Sequence, residues 1–450
     1  MDDVLLGIDV GSTATKAAIY RRDGSELASA EAPTRWTETT SGAEIDPESF
    51  VTAVFEAAGG ALAQVPDVVV ASLGITSMAE TGVMVGDDGR SIGPAIAWYD
   101  NRTRQTATDL GAALGTDWFA ETTGLILQPR VSATHVRWMM DNVSGCERAT
   151  TRLNVAEWVA FRLGGRLSAD LSLSARTGLL DITTRSWLPE VADWAGISTD
   201  LLPALTQPGD DLGTVDRTWS GLAGSTITTA GHDKPCAALG AGVTAEDEVY
   251  NSCGTAEALI TSRRPSTDRA SVKRAVEAGL AIGWHVHPNR QSVLGGLPTG
   301  RSLTRVLELL GIEDDHRSDL DRAALDRSSR GTLAIDGLMN DQMTLSVSGW
   351  GYRPEDLWWA AVSAAARQAS ALFTRLDELA GPLGRVVMSG GWTRSEAFME
   401  ARRREFDQIE RSVVRRPGTR GAAMIAGVAA RWWTFSDIPA PISEHEGNTR

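Results

Sequence analysis

Asp9 is followed closely by Gly11, Ser12, Thr13 and Lys16 in the run DVGSTATK. A turn of small residues exposes backbone N–H groups, and the hydroxyls of Ser12, Thr13 and Thr15 add donors. Such a turn can cradle phosphate oxygens while the neighbouring carboxylate holds a hydrated Mg²⁺. An ordinary hairpin with a polar tip would carry the same residues, so the spacing leaves both open. A second small polar turn is Ser252-Cys253-Gly254-Thr255, and a third is Gly390-Gly391. Read together, the first two would grip a polyphosphate from two lobes, and the glycine pair would let a nucleoside approach the backbone. Asp233, in Gly231-His232-Asp233-Lys234-Pro235, is the second carboxylate. The natural division gives Mg²⁺ to Asp9 and proton acceptance from an attacking hydroxyl to Asp233, the two coming from opposite lobes. Phosphoryl transfer needs little beyond that positioning and charge compensation. The bland alternative for Asp233 is a helix N-cap.

The elements that must hold these residues are legible as α/β. Leu5 to Val10 is an apolar run suited to a buried strand, and Thr15 to Tyr20 reads as its return. Asp46-Pro47-Glu48 opens a helix whose apolar face recurs through Phe50, Val54, Ala58 and Leu62. Val68 to Ile75 has the continuous apolar character of a central strand. A second half begins with a strand from Thr226 to Ala230, then the helix that Pro235 enters. Val249 to Ser252, the turn, and Glu257 to Thr261 repeat the strand–turn–strand plan of the N-terminus. Pro354 to Ala380 reads as one long helix ended by Gly381-Pro382. Arg385 to Ser389 is a strand, and Thr393 to Phe406 the helix after the glycine pair. The residues beyond Pro439 are expected to be loosely held.

With 450 residues, several domains are expected. The formal net charge of -15, from 43 basic and 58 acidic residues, argues against nucleic acid or an anionic membrane as partner. Neither a signal pattern nor a spanning apolar run is visible, and the cysteines Cys146, Cys236 and Cys253 form no CxxC pair. A cytoplasmic location is expected. His285 and His287 sit on one strand face without a third ligand nearby, so a structural role is expected for them.

The segments DVGSTATK, AIAWYDNRT, AGHDKPCAALGAG, NSCGTAEALI, MSGGWTRSEAF and RGAAMIAG, in this order, resemble the FGGY carbohydrate kinases. Glycerol kinase and xylulokinase belong to that family. The resemblance implies a two-lobed ribonuclease-H-like (actin-like ATPase) fold, each lobe a mixed sheet flanked by helices, with a cleft between. Residues 1–228 would form the N-terminal lobe and 229–450 the C-terminal lobe. It implies ATP-dependent phosphorylation of a primary hydroxyl of a small ketose, such as a pentulose, or of an alditol. ATP and Mg²⁺ are the implied cofactors. The family's catalytic base matches Asp233, and its Mg²⁺-linked aspartate matches Asp9. Gly11, Ser12, Thr13 and Lys16 match the first phosphate loop, Gly254 and Thr255 the second, and Gly390 and Gly391 the adenosine motif. Ala79 and Glu80 fall where the family contacts its substrate, and Arg130 where glycerol kinases carry a tyrosine. Asp100, in the AIAWYDNRT segment, is a substrate contact or the partner of Arg102.

The chain departs from the pattern at Ala79, where the family places an arginine or methionine, and at Trp392, where a third glycine is usual. A nucleotide-gated interaction module and a catalytically impaired family member are the alternatives. No nucleic-acid or membrane partner is expected, and a homodimer is left open.

Overall fold

The computed structural model describes residues 2–40, 42–313, 316–327 and 333–442. Of the tail expected to be loosely held, residues 443–450 lie outside the described residues. The chain divides into two compact units. The first comprises Met1–Gly242, Arg263–Ser292 and Arg416–Arg450, and the second Val243–Ser262 and Val293–Arg415. This grouping differs from the 1–228 and 229–450 halves expected from the sequence. The 228/229 boundary falls inside the strand Thr226–His232, and two later segments return to the first unit.

In the first unit the main sheet runs in the order Thr226–His232, Val68–Ser77, Asp2–Val10, Ala14–Tyr20, Glu26–Pro33. Asp2–Val10 pairs antiparallel with Ala14–Tyr20 and parallel with Val68–Ser77, which pairs parallel with Thr226–His232. Val10 lies beside Ser77 and Ser77 beside His232, so three parallel strands end level. The apolar runs form strands because both faces are covered. Phe50, Val54 and Ala58 of helix Glu48–Leu62 and Trp158 of helix Val155–Arg162 join Leu6, Ile8, Leu73 and Ile75 in one core cluster. The buried valine, leucine, isoleucine and phenylalanine side chains among them each contribute about 1.5–3 kcal/mol.

The opposite face carries helix Pro417–Ala429, whose Ala423, Met424 and Ala426 pack with Leu5, Ala18 and Tyr20. That helix lies so close that a Cβ at Gly7 would be 1.8 Å from the Thr419 carbonyl oxygen. A Cβ at Gly74 would be 2.1 Å from that of Ala422. Glycine is required at both places by the approach of another backbone.

The second unit repeats the plan. Five of its strands run in the order Gln291–Leu297, Glu257–Arg263, Val249–Cys253, Val386–Ser389, Ile409–Arg411. Val249–Cys253 is antiparallel to Glu257–Arg263 and parallel to Val386–Ser389. The long helix spans Pro354–Ala380 and stops at Gly381, as the sequence predicts. The helix expected from Thr393 instead begins at Glu396, after a short 3-10 turn Gly391–Arg394. The reason is Ser395, whose hydroxyl accepts from the Phe398 N–H and starts the helix there.

A buried ion pair locks this unit together. Arg402 Nη2 donates to Glu257 Oε2 at 2.7 Å with both side chains 0% exposed, and Thr299 and Asn251 also donate to that carboxylate. Arg402→Met would leave Glu257 charged and short of a partner. Urea denaturation should register a loss of about 3–5 kcal/mol.

Candidate active site

Level strand ends bring the first unit's chemistry together. Asp9 sits one residue before the end of its strand, beside Thr76, and Thr76 sits beside Gly231. Asp233 follows immediately after the end of the neighbouring strand. The two carboxylates are therefore carried by one sheet of one unit, not by opposite lobes as the sequence reading expected. Local periodicity shows that Thr226–His232 is a strand but not which sheet it joins.

Beyond Asp9, the Gly11–Thr13 turn is held by its carbonyls. Thr34 Oγ1 donates to Gly11 O, Trp36 Nε1 to Ser12 O, and the Thr34 N–H to Thr13 O. The N–H groups of Ser12 and Thr13 donate to no described residue. A turn anchored through its carbonyls, with the Ser12 and Thr13 amides unspent, is suited to an anion. Lys16 lies directly across from Asp9 in the hairpin and forms no ion pair among the described residues. Burial, then the charge of Asp233, raises the Asp9 carboxyl to about 6 against the pull of Lys16 and Lys234. It has no hydrogen-bond partner among the described residues. A lone carboxylate short of positive charge fits a hydrated cation completed by phosphate oxygens. Among the described residues no cluster of three or more potential ligands offers a self-sufficient metal site.

Asp233 is the first residue of helix Asp233–Gly240, and His232 occupies the N-cap position. Its carboxylate is thus not spent on capping. Lys234 Nζ lies 3.1 Å from Oδ2 and His232 Nε2 3.2 Å from Oδ1, with the aspartate side chain 21% exposed. Burial pushes its pKa up, but Lys234 and the bond and charge of His232 outweigh this and hold it below the usual carboxylate range. The carboxylate is ionised and reachable.

Glu80 follows the neighbouring strand end. It is 8% exposed and has φ 67, a left-handed conformation that a glutamate rarely adopts. Arg176 Nε and Nη2 both donate to its Oε1, at 2.9 and 2.6 Å, while Oε2 accepts from no described residue. Ser132 Oγ donates to the Glu80 carbonyl. From there a buried chain of bonds runs through the unit. Arg152 donates to Ser132 and to Asn154, and Asn154 and the Asp170 N–H donate to Glu157. Ser172 Oγ donates to Asp170 and accepts from the His232 N–H. The backbones of Glu80 and of the residue before Asp233 are thus tied to one network.

Glu157 is its hub. Burial raises its pKa to about 7, against the pull of Asn154, Arg152 and the Asp170 N–H. With the folded value above the unfolded one, the associated stability is fully present below the ordinary carboxylate pKa and lost as pH rises through about 7. Thermal melts across that range should show a decline on the order of 3 kcal/mol that is absent in Glu157→Gln.

The three remaining expected contacts are placed as follows. Ala79 is buried in the apolar cluster of the sheet and presents no polar group. Asp100 is 3% exposed, and its oxygens accept from the Ala43 N–H, the Arg102 N–H and Arg102 Nε. It serves as the partner of Arg102, and Gly42 must lack a side chain because a Cβ there would be 1.7 Å from Asp100 Oδ2. Arg130 is half-buried, with Glu80 and Arg176 the charges that act on it.

In the second unit, Gly254, Thr255, Gly391 and Trp392 line a cavity of about 880 Å³ with Thr304, Leu307 and Arg317. That volume lies within the range of small-ligand sites. Gly390 has φ 105, and a Cβ there would be 2.4 Å from the Cys253 carbonyl oxygen, so the second turn and the glycine pair are in contact. Gly391 differs, because a Cβ would meet nothing within 4 Å. Packing does not require that glycine, and its bareness keeps the cavity wall open. Trp392 packs inward against Trp358 and Phe398 and forms part of the wall. The Arg317 guanidinium lies 5.0 Å from its ring centre.

The sequence reading missed Arg176, although it lies in the segment SLSARTG, and it missed the Glu157 network and Arg317. Lys234 and His232 flank Asp233 in sequence, and that adjacency was the available signal. Cys146, Cys236 and Cys253 are buried and unbridged, and no helix of the described residues is long and apolar enough to cross a membrane.

A family model described as "FGGY family of carbohydrate kinases, N-terminal domain" matches residues 4–240. A glycerol kinase from Beutenbergia cavernae is 30% identical over 274 residues, spanning 58% of this chain and 54% of that protein. A glycerol kinase from Rhizorhabdus wittichii is 27% identical over 459 residues, spanning 95% of this chain and 88% of that protein. The fold is similar to that of a xylulose kinase from Rhodospirillum rubrum, with a TM-score of 0.86 at 20% identity over 98% of this chain and 93% of that one.

Proposed function

Since the chain belongs to the FGGY family of carbohydrate kinases, we propose that it transfers the γ-phosphoryl group of ATP to a primary hydroxyl of a small sugar or polyol, with Asp233 as proton acceptor. A ketose such as a pentulose, or an alditol, is the neutral form of that acceptor. The observation that carries the reading is an ionised, reachable Asp233 on the same sheet edge as Asp9, the anion-ready Gly11–Thr13 turn and Glu80. Glu80 Oε2 would accept from acceptor hydroxyls and orient them. Asp233 would take the proton as the hydroxyl oxygen closes on phosphorus, and Lys234 keeps it ionised until then. Ser12 and Thr13 amides and Lys16 would hold phosphate oxygens. Asp9 would hold Mg²⁺, which supplies charge compensation on the phosphates.

The second unit's cavity would take the nucleoside. Gly391→Leu tests this, because Gly391 lines that cavity and a Cβ there meets nothing within 4 Å. The variant should melt like the wild type and raise KM for ATP by about tenfold or more, with KM for the acceptor unchanged. We place the reaction in the cytoplasm, where ATP is available and buried free thiols persist. A coupled ADP-release screen over triols, tetritols, pentuloses and hexuloses tests the whole reading. ATP hydrolysis indifferent to every acceptor would favour a nucleotide-gated module instead.

A further inference from the structure

Resting on the kinase reading above, we propose that the acceptor carries a carboxylate at the end remote from the reacting hydroxyl, bound by Arg130: a sugar acid rather than a neutral polyol. The cations in direct contact with the Glu80 and Asp233 carboxylates are already spent on them. Arg176 is spent on Glu80 Oε1, and Lys234 with His232 on Asp233. Arg130, whose charge acts on Glu80 without an ion pair between them, is not spent in this way. Its guanidinium forms no ion pair among the described residues, and its partner is neutral: the Gln128 amide, turned so that its oxygen accepts from Arg130 Nη2 at 2.9 Å and Nε at 3.3 Å.

Burial depresses the Arg130 pKa, Glu80 counters this, and Arg176 adds to the depression. A half-buried guanidinium without a bonded counter-charge is costly, and a planar carboxylate repays that cost with two parallel bonds, which a hydroxyl cannot match. The fold puts this cation near the reaction. Arg130 lies within electrostatic reach of Glu80, and Glu80 leaves the strand end beside His232. Ser132, two residues after Arg130, donates to the Glu80 carbonyl, so the Arg130 loop is tied to the glutamate it accompanies. A hydroxy acid would then be held at its hydroxyls by Glu80, at its anionic end by Arg130, and at its reacting hydroxyl by Asp233. No bond changes at the carboxylate. The transferred phosphoryl passes from ATP to the primary hydroxyl, with its proton going to Asp233.

The test compares aldonates (tetronate, pentonate, hexonate) with the matching alditols and with sugar phosphates, in the wild type, Arg130→Gln and Arg130→Lys. ADP release should favour aldonates by about tenfold or more in kcat/KM, and Arg130→Gln should shrink the aldonate-to-alditol ratio by about 100-fold. Arg130→Lys should recover part of it, and KM for ATP should stay put. Alditols or ketoses turning over as well as aldonates would overturn the proposal. So would sugar phosphates outperforming aldonates, or an Arg130→Gln effect confined to KM for ATP. A second readout separates this inference from the kinase reading: the rise in melting temperature produced by each acid without nucleotide. An aldonate shift that Arg130→Gln abolishes, without ADP release, would uphold the anion site and sink the kinase reading. Polyol-dependent ADP release with no aldonate shift would do the reverse.

Discussion

Asp233→Asn lowers acceptor-dependent ADP release by about a thousandfold or more, while KM for ATP and the melting temperature stay close to wild type. The amide keeps the shape of the carboxylate but can neither accept the hydroxyl proton fully nor balance the charge of Lys234. Stability changes little because the Asp233–Lys234 pair is partly exposed, with the lysine side chain 37% accessible, and such pairs contribute little to folding. The N-cap reading makes the opposite forecast. A capping aspartate replaced by asparagine would keep its bond to the helix and leave turnover untouched. Undiminished turnover in a folded variant would remove Asp233 from the reaction.

Gly74→Ala costs more than about 3 kcal/mol, although it adds a single methyl group. The new Cβ would lie 2.1 Å from the Ala422 carbonyl oxygen and 2.9 Å from its carbon. Those atoms belong to the backbone of helix Pro417–Ala429 and cannot swing aside, so the helix must lift from the sheet. Gly59→Ala is the matched control. Gly59 lies in helix Glu48–Leu62, where a Cβ would meet nothing within 4 Å. There the same change should stabilise by about 0.5–1 kcal/mol through helix propensity. Urea titrations of both variants check the pair, and similar midpoints would refute the close-approach argument.

What could be read in advance followed the range of the interaction. The strands at Asp2–Val10 and Val68–Ser77, the long helix with its Gly381 stop, and the small-residue turns are local patterns, and each was legible. Sheet membership is not local. Nothing within residues 226–232 says that they align with Val68–Ser77, so Asp233 was assigned to the far lobe and the boundary placed at 228. Asp100 could be read either as a substrate contact or as the partner of Arg102, because its acceptors are filled by Ala43, distant in sequence, as well as by Arg102. Ala79 was singled out by its position in a family pattern, whereas its burial follows from the cluster around it. Arg176 went unnoticed because an arginine before a threonine-glycine turn carries no signal until Glu80 is seen opposite. The left-handed backbone of Glu80 has no signature in the residue type at all.

The glycine-lined seat of helix Pro417–Ala429 sets a timetable for biosynthesis. The ribosome releases the strand bearing Asp9 long before the helix that covers the back of that strand. Until then Leu5 and Tyr20 have no lid, and the nascent chain must be shielded from premature association. A message truncated just before Arg416 should therefore yield chaperone-bound or insoluble protein rather than a smaller working kinase.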